Sequence, residues 1–213
     1  MELIGRSIRA YVANRTDVDA ASDMLVGSLF AGIAFSWARL GNVHAMSHPV
    51  SAYFDVPHGV ANAILLPTIL DYNKLADKGK YKKIYEYVSE THRSDESFTP
   101  DMLVDAIRAL NNSLSIPANL TEVGVTEDKI NVMADDAMKS GNIMVNPRRS
   151  TKKDIVALTK SKCNIINLVL HGKRIVACRQ PFSIEDIICK TTLRDNDLHG
   201  KIYYSESYAM YGI

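Results

Sequence analysis

The chain has 213 residues, 46% of them hydrophobic and 23% charged, with a formal net charge of +1 at pH 7. That length is enough for one domain with a real core, and the near-zero charge gives no electrostatic case for nucleic acid or a membrane surface. Three cysteines, Cys163, Cys178 and Cys189, are odd in number and lack Cys-x-x-Cys spacing, which argues against a disulfide scaffold or a cysteine metal site and for a reducing cytoplasm.

The N-terminal stretch MELIGRSIRAYVANR carries no signal-peptide pattern. The longest uncharged apolar run is Met24–Ala38, fifteen residues. It is too short to span a bilayer and contains Gly and Ser, so it is expected as a buried helix, within a helix near 20–40. His44 and His48 lie four apart, and a helix over 43–52 places them on one face. Pro49 donates no backbone hydrogen bond, so that helix is expected to kink or end there. Tyr53–Pro57 reads as a loop. His58-Gly59 opens a second apolar helix over 59–70, which Pro67 is expected to terminate or bend.

Four more helices follow. Lys80–Glu90 places Ile84, Tyr87 and Val88 on one stripe. Thr99-Pro100-Asp101 combines a cap, a first-turn proline and a first-turn acid. Behind it Leu103, Ile107, Leu110 and Leu114 keep helical spacing over 100–114. Thr126-Glu127-Asp128 opens a helix over 127–139, with Ile130, Met133, Ala137 and Met138 inward, and Gly141 ends it. Ser150 or Thr151 starts a short helix over 151–160. The fold expected over residues 1–163 is therefore all-α. From Asn164 the pattern changes. Ile165–Leu170 and Arg174–Cys178 read as short strands joined by His171-Gly172-Lys173, Lys201–Tyr204 as a third, and Ser183–Cys189 as one or two helical turns. His92, His171 and His199 are expected on the surface.

The chemistry concentrates in Leu40–Asn73, LGNVHAMSHPVSAYFDVPHGVANAILLPTILDYN. Three of the six histidines, His44, His48 and His58, fall within fifteen residues. A histidine in an apolar setting needs partners for its ring nitrogens. A metal ion is one such partner. Hydrogen-bonded core histidines are the other reading, and spacing leaves both open. A helix–loop–helix would return His58 towards the first helix, so that one pocket holds all three rings. No Gly-rich phosphate loop occurs anywhere in the chain.

The segment LGNVHAMSHPVSAYFDVPHGVANAILLP resembles the metal-binding segment of the iron-containing (group III) alcohol dehydrogenases. It matches their Leu-Gly pair, a His, three residues, a second His, nine residues, then His-Gly-x-x-Asn-Ala. Met24–Arg39 resembles the helix before that motif. Val132–Ala157, with Asn146-Pro147-Arg148, resembles the closing segment. The resemblance spans residues 1–163 and implies the multi-helix C-terminal domain of the iron-containing alcohol dehydrogenase and dehydroquinate synthase-like type. Residues 164–213 form an unmatched tail of short strands or poorly ordered chain.

That resemblance implies NAD- or NADP-dependent oxidation of a small primary alcohol, or reduction of an aldehyde, at Fe(II) or Zn(II). His44 and His58 match two metal ligands. His48 matches a neighbouring histidine, not normally a ligand, that relays a proton. Asn62 either orients His58 or is an ordinary satisfied helix residue. Asn142 stands where many relatives have a Cys near the nicotinamide. The family's other two ligands, an Asp and a His, precede the helix that Met1–Ile4 resembles. Its α/β cofactor-binding domain precedes them in turn. Asp55 and Asp71 are expected to be solvated rather than to replace that Asp. Two functions from different classes follow. One is the C-terminal half of a dehydrogenase, completed by a separate N-terminal half or in a homo-oligomer. The other is an inactive gene fragment, a helical remnant with at most weak metal binding. The unmatched tail suggests a rearranged gene or a small accessory module.

Overall fold

The computed structural model describes residues 1–89 and 97–163, together with the backbone of residues 165–170 and 173–178. Among the described residues up to 163, regular structure is helical throughout. It comprises α1 (Glu2–Ala13), α2 (Val18–Ala38), α3 (Asn42–Phe54), α4 (His58–Asn73), α5 (Lys80–Val88), α6 (Pro100–Ser113), α7 (Ile130–Lys139) and α8 (Lys152–Lys162), with short 3-10 segments in the connections after α4, α6 and α7. The all-α expectation holds there. Each predicted helix is present within a few residues of its expected ends.

The main core lies between α3, α4, α7 and α8. Val50, Ile64, Leu65, Ile130, Met133, Ala137 and Ile155 are buried in it, with Met138 half-buried against them. The inward stripe predicted for 127–139 is the one that packs. A second cluster joins α5 to α6 through Tyr81, Val88, Leu103 and Ile107, and reaches α4 through Leu66 and Leu70. α8 starts with Thr151 as N-cap. Its hydroxyl accepts from the Asp154 backbone N–H, and the Asp154 carboxylate accepts from the Thr151 backbone N–H at 2.8 Å. These reciprocal bonds satisfy donors that a helix start otherwise leaves orphaned.

α1 is held close to its neighbours by two glycines. A Cβ on Gly5 would lie 1.9 Å from the Tyr87 carbonyl oxygen of α5, and one on Gly27 would lie 2.7 Å from Ile4. Asp23 of α2 accepts from Arg6 Nε at 2.7 Å, from a second Arg6 nitrogen at 2.8 Å and from the Ser7 hydroxyl at 2.6 Å. These bonds hold the Asp23 carboxyl down at about 2.

The second half of α2 departs from expectation. It was expected to be buried, yet Leu25, Leu29, Phe30, Ile33, Phe35 and Trp37 are all exposed, Trp37 by 88%. Only Ala20 and Gly27 are buried in this helix. The reason is geometric. α1 covers the first half of a 21-residue helix, and beyond Gly27 no described element reaches it. By length and composition alone, Val18–Ala38 is also long and apolar enough to cross a membrane.

Both prolines lie inside their helices, as the expected spans 43–52 and 59–70 have them, but α3 runs further than expected. α3 runs through Pro49 to Phe54, so Tyr53 and Phe54 form its last turn rather than a loop. Asp55 then closes it in the left-handed region, at φ 54°. Burial of Pro49 beside Met46 and Val50 outweighs the one missing backbone bond. α4 likewise continues through Pro67 to Asn73. Here the lost bond is replaced. The Ala63 carbonyl, which a residue with an N–H at position 67 would have capped, accepts from Asn111 Nδ2 of α6 at 2.7 Å.

The described strands are β1 (Ile165–Leu170) and β2 (Lys173–Cys178), antiparallel with Ile165 opposite Cys178 and Leu170 opposite Lys173. Both match the strands expected there, β2 starting one residue earlier. His92, His171 and His199, the helical turns at Ser183–Cys189 and the strand at Lys201–Tyr204 lie outside the described residues.

The Asn111 bond gives a direct test. Asn111→Ala leaves the Ala63 carbonyl without its partner and should cost about 1–3 kcal/mol. Asn112→Ala, one residue on and exposed, should change stability by less than about 0.5 kcal/mol. Urea unfolding of the two variants, read as a midpoint shift at constant slope, checks the contrast.

Candidate metal centre

Three elements set the geometry. α3 carries His44 and His48 one turn apart, the tight Asp55–Pro57 connection reverses the chain, and α4 begins with His58. The rings converge as expected. Ring centroids are 5.1 Å apart for His44 and His58, 5.2 Å for His48 and His58, and 6.2 Å for His44 and His48. His44 is half-buried, while His48 and His58 lie on the exposed side.

One atom organises this cluster. Asn62, one turn after His58 on α4, brings its Nδ2 to 3.2 Å from His44 Nε2 and 3.0 Å from His58 Nε2. With the amide turned this way, Nδ2 faces both Nε2 atoms, which then accept from it. Two imidazole lone pairs thus point at one electropositive centre. The Asn62 carbonyl oxygen is itself buried without a hydrogen-bond partner. A buried polar atom left unpaired is costly. Two neutral imidazole nitrogens suit Fe(II) or Zn(II), so the donors fit a divalent ion. Among the described residues no cluster of three or more His, Cys, Asp or Glu side chains suited to holding an ion occurs. Asp71 pairs with Lys74 at 2.9 Å, and Asp55 is the exposed cap of α3, so both are solvated as expected.

The histidines are placed by a polar knot that the sequence reading did not single out. Gly41, at φ 90°, starts α3. The Asn42 backbone N–H donates to Asn146 Oδ1 at 3.1 Å, and Asn73 Nδ2, at the end of α4, donates to the same oxygen at 3.1 Å. Asn146 Nδ2 donates in turn to Asn73 Oδ1 at 2.8 Å and to the Arg148 carbonyl at 2.6 Å. Every hydrogen-bonding site on the Asn146 amide is used. Arg148 also donates to the Tyr72 carbonyl at 2.9 Å, and its guanidinium sits 4.0 Å over the Tyr72 ring. Asn146 had entered only through the resemblance of its Asn-Pro-Arg segment. No periodicity signals three asparagines that meet from positions 42, 73 and 146.

Beside His48 lies a solvent-open cavity of about 450 Å³, lined also by Pro49, Tyr53, Asp136 and Lys139. Asp136 accepts from the Tyr53 hydroxyl at 2.8 Å and from Lys139 at 2.9 Å. Burial, then the neighbouring rings, push His44 below the ordinary histidine range. Partial burial and His58 push His48 the same way. Both shifts favour the neutral ring, the form that ligation or proton transfer requires. The folded chain binds fewer protons than the unfolded chain between those lowered values and about 6.5. Stability should thus be complete above about pH 6.5 and fall as pH drops through that window. Melting temperatures at pH 7.5 and 5.5 check this. The drop on acidification should shrink in the His44→Gln, His48→Gln double variant.

Residues 1–163 match the model of the Fe-containing alcohol dehydrogenase family, C-terminal. The chain is 38% identical over 159 residues to 1,3-propanediol dehydrogenase of Citrobacter freundii, covering 74% of this chain and 41% of that protein. It is 35% identical over 160 residues to Alcohol dehydrogenase 4 of Saccharomyces cerevisiae, covering 75% and 41%. Among solved structures, 1,3-propanediol oxidoreductase superposes with a TM-score of 0.71 at 36% identity, over 76% of this chain and 42% of that one. The chain spans about two fifths of the length of the curated relatives it matches. A helical domain of matching shape, with His44, His48 and His58 gathered at the surface by α3 and α4, thus belongs to the iron-containing alcohol dehydrogenase family, as its C-terminal domain.

Proposed function

We propose that this domain provides half of a metal centre for oxidoreduction between a small primary alcohol and its aldehyde, with NAD or NADP as hydride carrier. The observation that carries this reading is the convergence of His44 Nε2 and His58 Nε2 on a single partner, the Asn62 amide nitrogen, at 3.2 and 3.0 Å. Fe(II) or Zn(II) bound there would supply a Lewis acid to polarise an alcohol or carbonyl oxygen. His44 and His58 would hold the ion in place of the Asn62 amide nitrogen that their rings now share, and Asn62 would orient both rings. His48, stacked on His58 at 5.2 Å, accepts the alcohol proton and passes it to the solvent-open cavity beside Tyr53 and Asp136. In the reduction the proton returns by the same path.

Two features support completion by a second polypeptide or a second copy. The described residues offer two ligands, where a tetrahedral centre takes about four. The second half of α2 is apolar on every side and uncovered, and such a helix is normally buried. α2 leads directly through Gly41 into the histidine-bearing α3. A cofactor-binding α/β half would meet both needs. Relatives in this family act on compounds of the expected class by name, among them 1,3-propanediol dehydrogenase and the lactaldehyde reductase of Escherichia coli.

The same incompleteness favours a second reading, a non-enzymatic helical domain that binds metal weakly. Equilibrium dialysis against Zn(II), and against Fe(II) without oxygen, separates the two. The chain alone should bind one ion weakly, and His58→Ala should abolish that binding. It should give no alcohol-dependent reduction of NAD or NADP with short alcohols and diols. Addition of the α/β half of a family member should tighten binding and restore turnover if the first reading holds. No gain on addition identifies the second. Turnover by the chain alone that His58→Ala abolishes would place the missing ligands in another copy of this chain.

A further inference from the structure

Ser47 is fully buried on α3, between His44 and His48. Its hydroxyl oxygen lies 3.3 Å from the His44 carbonyl and 3.4 Å from His58 Nδ1, both at the long end of hydrogen-bonding distance. The roles follow from elimination. As the Asn62 amide is placed, its Nδ2 faces His58 Nε2, which assigns the lone pair to that nitrogen. A neutral imidazole with a bare Nε2 holds its proton on Nδ1. That proton needs an acceptor. The carbonyl of His44 takes the Ser47 hydroxyl proton, which leaves Ser47 Oγ facing Nδ1 as an acceptor. Among the described residues no other group accepts from His58 Nδ1.

We propose that Ser47 is a positioning residue that selects the Nδ1–H tautomer of His58 and so turns Nε2 towards the ion. This rests on the metal reading of His44 and His58, and it deepens that reading. Free imidazole of a histidine in water favours the proton on Nε2, the wrong nitrogen for a ligand that must bind through Nε2. A buried acceptor at Nδ1 reverses that preference before any ion arrives. Ser47 achieves this from one helix while His58 sits on the next, so the bond also sets the angle of the ring across the Asp55–Pro57 connection. Such outer partners typically change metal affinity by about ten- to hundredfold.

The test reads the tautomer directly. Long-range proton–nitrogen correlation spectra of histidine-labelled chain at pH 8, without metal, separate the Nδ1–H and Nε2–H forms of each ring. In the unaltered chain His58 should be dominantly Nδ1–H. In Ser47→Ala that form should lose its dominance while His48 is unchanged. Ser47→Cys keeps the volume, offers only a weak acceptor and should behave like Ser47→Ala, which covers loss of folding from the small cavity. Ser47→Thr restores a hydroxyl and should restore the Nδ1–H form. Zn(II) affinity should fall about ten- to hundredfold in Ser47→Ala. An unchanged His58 tautomer in Ser47→Ala and Ser47→Cys overturns the proposal, whatever the metal affinity. A tautomer shift as expected, with Zn(II) binding indifferent to His58→Ala, upholds the role of Ser47 and overturns the metal reading instead.

Discussion

The carboxamide of Asn146 is the interaction on which the rest of the site depends. It accepts from the first residue of α3 and from the last residue of α4, and it returns a bond to that same residue. The two helices that carry the histidines are thereby tied at their far ends, while the Asp55–Pro57 connection joins them at the near end. Helices tied at both ends cannot slide, so the register of His44 against His58 is fixed. The position of Gly41 follows from the same bond. A side chain there would meet Asn146 Oδ1 at 3.2 Å, and the backbone already has a positive φ. Buried amides of this kind specify one arrangement because any shift strands several polar groups at once.

The polar bonds around the histidines are concentrated where directional control is needed. The core between α3, α4, α7 and α8 is otherwise apolar, built from Val50, Ile64, Leu65, Ile130 and Ile155. Hydrophobic contact of this sort is strong but non-directional. It brings α3 onto α4 without choosing which ring nitrogen faces inward. Ser47 and Asn62 make that choice, one at Nδ1 and one at Nε2 of the same ring. The unpaired oxygen of Asn62 is the residue of that arrangement.

α2 has the opposite character. Its first half is clamped by Arg6 and Ser7 through Asp23 and close-packed through Gly27, whereas its second half presents Phe30, Ile33 and Trp37 to solvent. A 21-residue helix rises about 1.5 Å per residue, so the uncovered half extends well past the end of α1. The covered and uncovered halves of one helix thus differ because α1 reaches only the first.

The sequence by itself determined the helical class, the place of nearly every helix and the identity of the histidine cluster. It could do so because these are local signals. The cap at Thr99-Pro100, the stripe Ile130, Met133, Ala137 and the spacing of His44 and His48 each lie within one element. It misjudged Tyr53–Phe54, which are helical, and the burial of α2, and it left unmarked what lets α4 run through Pro67 and the roles of Ser47, Asn73 and Asn111. Each of those depends on a partner distant in the chain. Pro67 leaves α4 intact because Asn111, 44 positions on, takes up the freed carbonyl. α2 is exposed because nothing described beyond α1 reaches it. Periodicity records which face of an element is apolar. Only the tertiary structure decides what covers that face, and which side chains meet the ring nitrogens of a histidine.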